Sequence, residues 1–434
     1  MLNPISPAQA VATSGPAAPD TRPDWPLIEP GLAALLQVSG LQPLRWKGDV
    51  LLPVVQGGMG VGVSAHRLAG AVAAAGGVGT LSSVDLRRHH PDLMEVTTGL
   101  GMGEAAKAAI DAANLVALER EIGAARKLSG GRGRLAINVM RAVSQYQPAV
   151  RRALECGIDA VVVGAGLPLD LPDLAQDFAQ ARLVPILSDF RGVQLIVKKW
   201  ERKKRLPDAI VIEHPRLAGG HLGAARIEDL RDGRFEFERV IPETVALLRD
   251  MGVEREVPVI AAGGIRSHRD IVWLQSLGAA AVQLGTPFAV TEEGDAHPEF
   301  KRVLAQARPE DVVEFVSVAG LPARAVATPW LKSYLKMESR LQAVAHVKSR
   351  CTKAFDCLAQ CGLRDGLATW GQFCIDNQLA AALRGEVDKG LFFRGAGPLP
   401  FGPQIRSVAD LLKRLLTQAP AGDEAGLTPG LAAG

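Results

Sequence analysis

Eight short apolar runs, separated by amphipathic stretches, constrain this chain more than anything else in it. They are LLPVV at 51–55, VGTL at 78–81, RLAINVM at 134–140, AVVVG at 160–164, VPIL at 184–187, AIVI at 209–212, PVIAA at 258–262 and AAVQLG at 280–285. Continuous β-branched runs of this length are the mark of parallel strands covered on both faces. Between them lie helical patterns such as AHRLAGAVAAAGG, PAVRRALECGID, IPETVALLRDMG and RDIVWLQSLGA, several ending at a glycine as helix C-termini do. Eight strand-helix units over roughly 250 residues predict an α/β fold of the (β/α)8 TIM-barrel type. A doubly wound sheet would carry a dinucleotide fingerprint after the first strand. Gln56-Gly57-Gly58-Met59-Gly60 does not have that spacing.

The remainder of the 434 residues divides around this barrel. Residues 1–25 are rich in Ala, Pro and Ser, which predicts a disordered leader. The barrel then occupies 26–345, with an oversized unit at about 85–134. Insertions of that kind belong to the face where strands end, so this segment is expected to form a helical lid. A Cys-containing helical extension is expected over 346–415, followed by a disordered tail at 416–434. The run KKWERKKR at 198–205 reads as the wet outer face of a barrel helix with its tryptophan turned inward.

A composition of 47% hydrophobic and 22% charged residues is globular, and forty-six glycines suit many tight turns or cofactor contacts. A net charge of +3, with no basic stripe interleaved with aromatics, points to a small-molecule substrate rather than nucleic acid. No run is long enough for a membrane span and no signal-peptide pattern opens the chain, so a cytoplasmic protein is expected. Nothing in the sequence sets an oligomeric state.

Three glycine signals stand where strands end. Gly219-Gly220 precede His221, Gly263-Gly264 follow the seventh strand, and Gly285-Thr286 follow the eighth. The last two loops build the usual phosphate site of a barrel of this kind from backbone N–H groups. With the glycine pair before His221 they favour a flat phosphorylated cofactor, and FMN fits better than a free sugar phosphate. His221 is then either the site's proton-handling group or a satisfied loop histidine. The His89-His90 pair is either a ligand pair or part of a solvated loop.

In order along the chain, PVVQGGMGVGVS, AGGVGTLSS, AINVM, VVVGAGLP, AGGHLG, VIAAGGI and VQLGT resemble the nitronate monooxygenase family. That family is also called the 2-nitropropane dioxygenase family, and the flavin-dependent trans-2-enoyl-ACP reductases are its sister group. The resemblance covers about residues 50–330. It implies flavin contacts from Gly58, Met59, Asn138, Gly219 and Gly220, and phosphate contacts from Gly263, Gly264, Gly285 and Thr286. It also implies that His221 is the active-site histidine of an FMN-dependent oxidoreductase oxidising nitronates or nitroalkanes with O2. The alternatives are an NAD(P)H-dependent reductase of enoyl thioesters or quinones, and a non-catalytic flavin-binding protein. Two departures stand out. LSDFRG replaces the segment in which the family often carries a lysine, leaving Asp189 or Arg191 to serve there or the contact absent. His214-Pro215 adds a second histidine near the expected pocket.

Four of the five cysteines crowd together as Cys351, Cys357, Cys361 and Cys374, which argues against a secreted disulfide framework. Their run looks like that of the iron-sulfur flavoproteins related to 2,4-dienoyl-CoA reductase and trimethylamine dehydrogenase. Three readings are open: a [4Fe–4S] cluster, zinc, or four buried thiols.

Overall fold

The computed structural model describes residues 25–418 except 102, 348–350, 352 and 354. The expected leader and tail therefore fall almost wholly outside the described residues. Eight parallel strands close into a barrel: β1 (Val54–Gln56), β2 (Val78–Ser82), β3 (Arg134–Met140), β4 (Ala160–Gly164), β5 (Arg182–Leu187), β6 (Ile210–Glu213), β7 (Val259–Ala262) and β8 (Ala281–Leu284). Neighbours follow chain order and β8 pairs back onto β1, with Val282 opposite Val54. Each apolar run yields one strand. The first starts later than its run because Leu51 belongs to a preceding hairpin.

Period-two alternation sorts every strand into two faces. Val55, Val78, Ala136, Val162, Val184, Val211, Ile260 and Ala281 fill the barrel interior. Val54, Leu81, Ile137, Val161, Leu183, Ile210, Val259 and Val282 face the helices. The same inward parity carries further up several strands, to Ser82, Asn138, Gly164, Ile186, Glu213 and Gln283. These six form the top layer, and all line a cavity at the strand C-termini.

The opposite end is plugged by the hairpin of Leu44–Trp46 and Asp49–Leu51, whose Leu44, Trp46 and Leu51 join the interior cluster. Trp46 Nε1 donates to the Asp208 carbonyl at 2.7 Å. Arg134 grips Asp49 with two bonds of 2.6 Å, and Arg182 reaches the same carboxylate at 2.5 Å. Bidentate arginine pairs of this kind fix geometry as well as charge. This is the stabilising end of the barrel.

The helix Phe190–Glu201 shows the outer packing. Asp189 caps it by accepting from Gly192 N at 2.7 Å, and Val193, Ile196, Val197 and Trp200 are buried while Lys198 and Lys199 lie exposed. The tryptophan points inward, as the run KKWERKKR predicts.

The segment after β2 does not form the expected lid. The helix Glu104–Ser129 packs along the barrel wall against His66–Ala75 and Tyr146–Glu155, in the place of an ordinary barrel helix. No described residue between 85 and 134 lines the cavity. His89 and His90 are not on a solvated loop either. His89 Nε2 bonds the Gly62 carbonyl at 2.8 Å and ties the insertion to the barrel, while His90 Nε2 lies 3.0 Å from Glu121 Oε1 within the insertion itself.

The mouth is covered instead from the far end of the chain. Val312–Val316 and Pro322–Val326 form an antiparallel pair that takes in Gly220–His221 as a third strand. Beyond the helix Pro329–Ala343, a segment through 357–358 bridges Val143 to Leu358. The helix Ile375–Leu383 and the strap 391–399 then cross the opening, with Phe393 bridged to Ala325. The last helix, Val408–Leu416, returns to the barrel exterior and buries Val408, Leu411, Leu412, Leu415 and Leu416.

Candidate active site

One cavity of about 290 Å³ opens at the strand C-termini. Its walls bring together His221, Gly58, Met59, Asn138, Gly219, Gly220, Gly263, Gly264, Gly285 and Thr286, residues spread over most of the barrel sequence. Asn138 comes from the top layer of β3. Gly58 must lack a side chain because a Cβ there would stand 2.3 Å from the Asn138 Cβ.

His221 is held by the outer sheet, opposite Ala323. Its Nε2 lies 2.9 Å from Ser317 Oγ. That hydroxyl accepts from Ala319 N at 3.2 Å and still has its own proton to give to the ring, the arrangement in which the ring hydrogen sits on Nδ1. The Phe393 ring leans on the imidazole with centroids 5.6 Å apart. Burial, with no carboxylate at hand, pushes the His221 pKa down to about 4, so the ring is neutral at pH 7.

Within the glycine pair before His221, Gly219 is also required by the strap. A Cβ on Gly219 would stand 2.4 Å from Arg394 C and Gly395 N. The space is filled by the strap's backbone, which Gly395 N fastens to Thr286 Oγ1 at 2.9 Å. Arg324, itself buried, gathers the loop before the pair: it donates to the carbonyls of Pro215, at 3.1 Å, and Ala218, and to Glu314 at 2.6 Å.

Glu213 was not singled out by sequence reasoning, although it directly continues the run AIVI with the inward parity of Val211. It lines the cavity, and burial pushes its carboxyl pKa up to about 7, against the pull of Arg324. Ser317, Phe393, Arg394 and Gln283 were also missed. Gln283 stands within VQLGT, while Ser317, Phe393 and Arg394 carry no local motif and reach the site from beyond the last barrel strand.

Other expected residues lie elsewhere. His214 is buried outside the cavity, 3.3 Å from Glu236 and edge-on to Phe237, and burial lowers its pKa. Asp189 is a helix cap, and neither it nor Arg191 lines the cavity; Ile186 represents that strand. Cys351, Cys357, Cys361 and Cys374 are free thiols, of which Cys357 alone lines the cavity. Burial pushes the thiols of Cys357, Cys361 and Cys374 up, and for Cys357 the neighbouring thiols add to it. Among the described residues no group of three or more His, Cys, Asp or Glu is arranged to hold a metal ion. The expectation of a [4Fe–4S] cluster or zinc thus finds no support in the arrangement. Cys156 is half-buried against the core. Among the described residues no helix is long and apolar enough to cross a membrane.

A closed eight-stranded barrel with a ligand-sized cavity at its C-terminal mouth defines a TIM-barrel enzyme. The nitronate monooxygenase family model matches residues 44–418, and the chain belongs to that family; it is an oxidoreductase. Named relatives agree. The chain is 25% identical over 302 residues to "Probable nitronate monooxygenase" of Bacillus subtilis, covering 68% of this chain and 82% of that one. It is 36% identical over 109 residues to the nitronate monooxygenase of Pseudomonas aeruginosa, 25% of this chain and 28% of that one. Solved structures share the fold. FabK from Thermotoga maritima superposes with a TM-score of 0.57 at 20% identity, covering 90% of this chain and 95% of that one. The nitroalkane oxidase of Streptomyces ansochromogenes gives 0.55 at 19%, covering 87% and 96%.

Proposed function

We propose that this chain is an FMN-dependent nitronate monooxygenase, oxidising nitronates or nitroalkanes with O2. The observation that carries the reading is a neutral His221 held at the wall of an apolar, glycine-floored cavity. The residues present fit a flavin phosphate. Gly263 and Gly264 have φ of +112° and +75°, and together with Gly285 they leave a side-chain-free cradle at the start of the short helix Thr286–Ala289. Gly58, Met59, Asn138, Gly219 and Gly220 would hold the ring system. Bound FMN supplies electron acceptance from the substrate and the reaction with dioxygen.

The chain's own residues do the rest. With Nε2 engaged by Ser317, the Nδ1–H of His221 is the nitrogen left to donate to a nitro or nitronate oxygen. A pKa of about 4 makes the ring a weak base, so it orients a ready-made nitronate better than it abstracts a proton from a nitroalkane. Phe393, Val61 and Met140 supply apolar walls that exclude water.

The test is anaerobic. Purified protein should carry FMN, be bleached by an alkyl nitronate and regain colour with O2. Bleaching by NAD(P)H but not nitronate would make it a reductase of enoyl thioesters or quinones. Bound flavin that neither donor reduces would make it a non-catalytic flavin protein, and absence of flavin would overturn the cofactor assignment.

A further inference from the structure

Five ionisable residues line the cavity: Glu213, His221, Cys357, Asp376 and Arg394. Asp376 is matched by Arg88 at 3.0 Å and by Lys353, and His221 stays neutral above about pH 4. Arg394 is the one cation of the set, and its charge is unbalanced. It is 3% exposed, yet among the described residues no carboxylate pairs with it; burial alone bears on its charge and pulls the pKa below the ordinary arginine value. A buried charge without a counter-ion is costly, and a cavity-lining cation in that state is suited to an anionic ligand.

Part of the guanidinium remains unused. Nε donates to the Leu304 carbonyl at 3.0 Å, and Nη1 uses both its protons on the carbonyls of Gly395 and Gly397, at 2.8 and 2.9 Å. The two protons on Nη2 have no acceptor among the described residues. Three carbonyls fix the plane of the fork, so Nη2 is oriented before any ligand arrives. Phe393 turns towards His221, and Arg394, next along an extended segment, turns to the opposite side. The carbonyls it grips belong to the part of the strap that is tied down over the glycine cradle. Gly395 N is fastened to Thr286 Oγ1 at 2.9 Å and Ala396 N to the Leu217 carbonyl at 3.0 Å. Leu217 in turn packs on the cradle: Cβ atoms on Gly263 and Gly264 would stand 3.3 and 3.1 Å from its side chain.

We propose that Arg394 is the counter-charge for a phosphate group bound in this cavity, with Nη2 as the donor. Two sources share that chemistry: the phosphate of FMN, which rests on the flavin reading above, and the phosphate of a second ligand bound beside the flavin. A phosphate dianion held by backbone N–H groups at the start of the short helix Thr286–Ala289 has dipoles around it but no full positive charge. Arg394 adds that charge from the strap. No other residue lining the cavity can do so, since the remaining ionisable groups there are neutral or acidic.

Riboflavin, which is FMN without the phosphate, isolates the interaction with no turnover involved. Wild type, Arg394→Gln and Arg394→Met, stripped of cofactor, are titrated with FMN and with riboflavin by fluorescence quenching. Arg394→Gln should bind FMN on the order of tenfold to a hundredfold more weakly, the value of a charge-assisted hydrogen bond, and bind riboflavin as wild type does. Equal weakening of both ligands would make Arg394 a brace for the strap and overturn the proposal. If neither affinity changes, flavin-loaded protein is melted with added inorganic phosphate. Stabilisation of wild type but not of Arg394→Gln then assigns the charge to the second source; any other result overturns the proposal and leaves the flavin reading intact. Wild type that takes up neither FMN nor riboflavin overturns the flavin reading, and the phosphate melts on flavin-free protein decide the role of Arg394 by the same criterion. Arg394→Met removes the charge while keeping an apolar chain in the buried position, and it supplies the same comparisons if Arg394→Gln does not fold.

Discussion

His221 and Ser317 stand ninety-six positions apart in the chain and meet at 2.9 Å, because the outer sheet sets His221 opposite Ala323 and returns Ser317 to its ring. The imidazole is therefore oriented by a residue outside the barrel. His221→Ala should retain FMN and lose roughly 10²–10⁴ in turnover with a nitronate. Ser317→Ala removes the orienting bond alone and should cost about fivefold. Flavin content by absorbance, alongside oxygen uptake, separates the two effects.

The two titrating groups at the mouth slope in opposite directions with pH. Glu213 has its folded pKa raised to about 7 from the ordinary 4.5, so its contribution is intact below pH 4.5 and declines as pH rises through 7. For His221, lowered to about 4 from 6.5, the contribution is intact above pH 6.5 and declines as pH falls towards 4. Flavin-free Glu213→Gln should thus melt higher than wild type at pH 8, by up to roughly 3 kcal/mol in stability, with the difference vanishing near pH 4.5. Thermal melts across pH 4.5–9 give the comparison; parallel curves would count against a buried, neutral Glu213.

Gly219→Ala should loosen the strap. Its new methyl would overlap the backbone at Arg394–Gly395, and neither side is a flexible chain end. A loss of about 1–3 kcal/mol is expected, with faster proteolysis within 391–399. Gly233, with nothing near its Cβ position, is the matched control and should tolerate alanine.

Metal analysis is expected to find neither iron with acid-labile sulfide nor zinc in stoichiometric amount, since among the described residues no ligand group is assembled. Cys357→Ser should alter the cavity wall slightly and leave flavin uptake unchanged. Stoichiometric iron that Cys357→Ser abolishes would reverse this reading.

The barrel was legible because strands buried on two faces must be apolar without interruption; β3 at 134–140 and β4 at 160–164 coincide with their runs. The glycine cradle was legible because such loops follow strands at fixed places. What could not be read locally was whatever arrives from a distance. The insertion at 85–134 looked like a lid from its length, but most of that length is the barrel's own second helix. The real cover comes from 357–399, where cysteine spacing suggested a cluster and Phe393 and Arg394 carried no signal at all. Glu213 was within reach: counting by twos from Val211 sets it inside the barrel mouth.

The strap has a bearing on how the molecule comes into being. Its last cavity residue is Leu399, while the final barrel strand ends at Leu284. A ribosome adding about 5–20 residues per second needs on the order of ten seconds to cover that distance. During that interval a nascent barrel stands with its mouth uncovered and His221 without Phe393 against it. A ligand reaching the mouth in that interval meets no strap, whereas one reaching the finished molecule meets Phe393 and Arg394 at the opening.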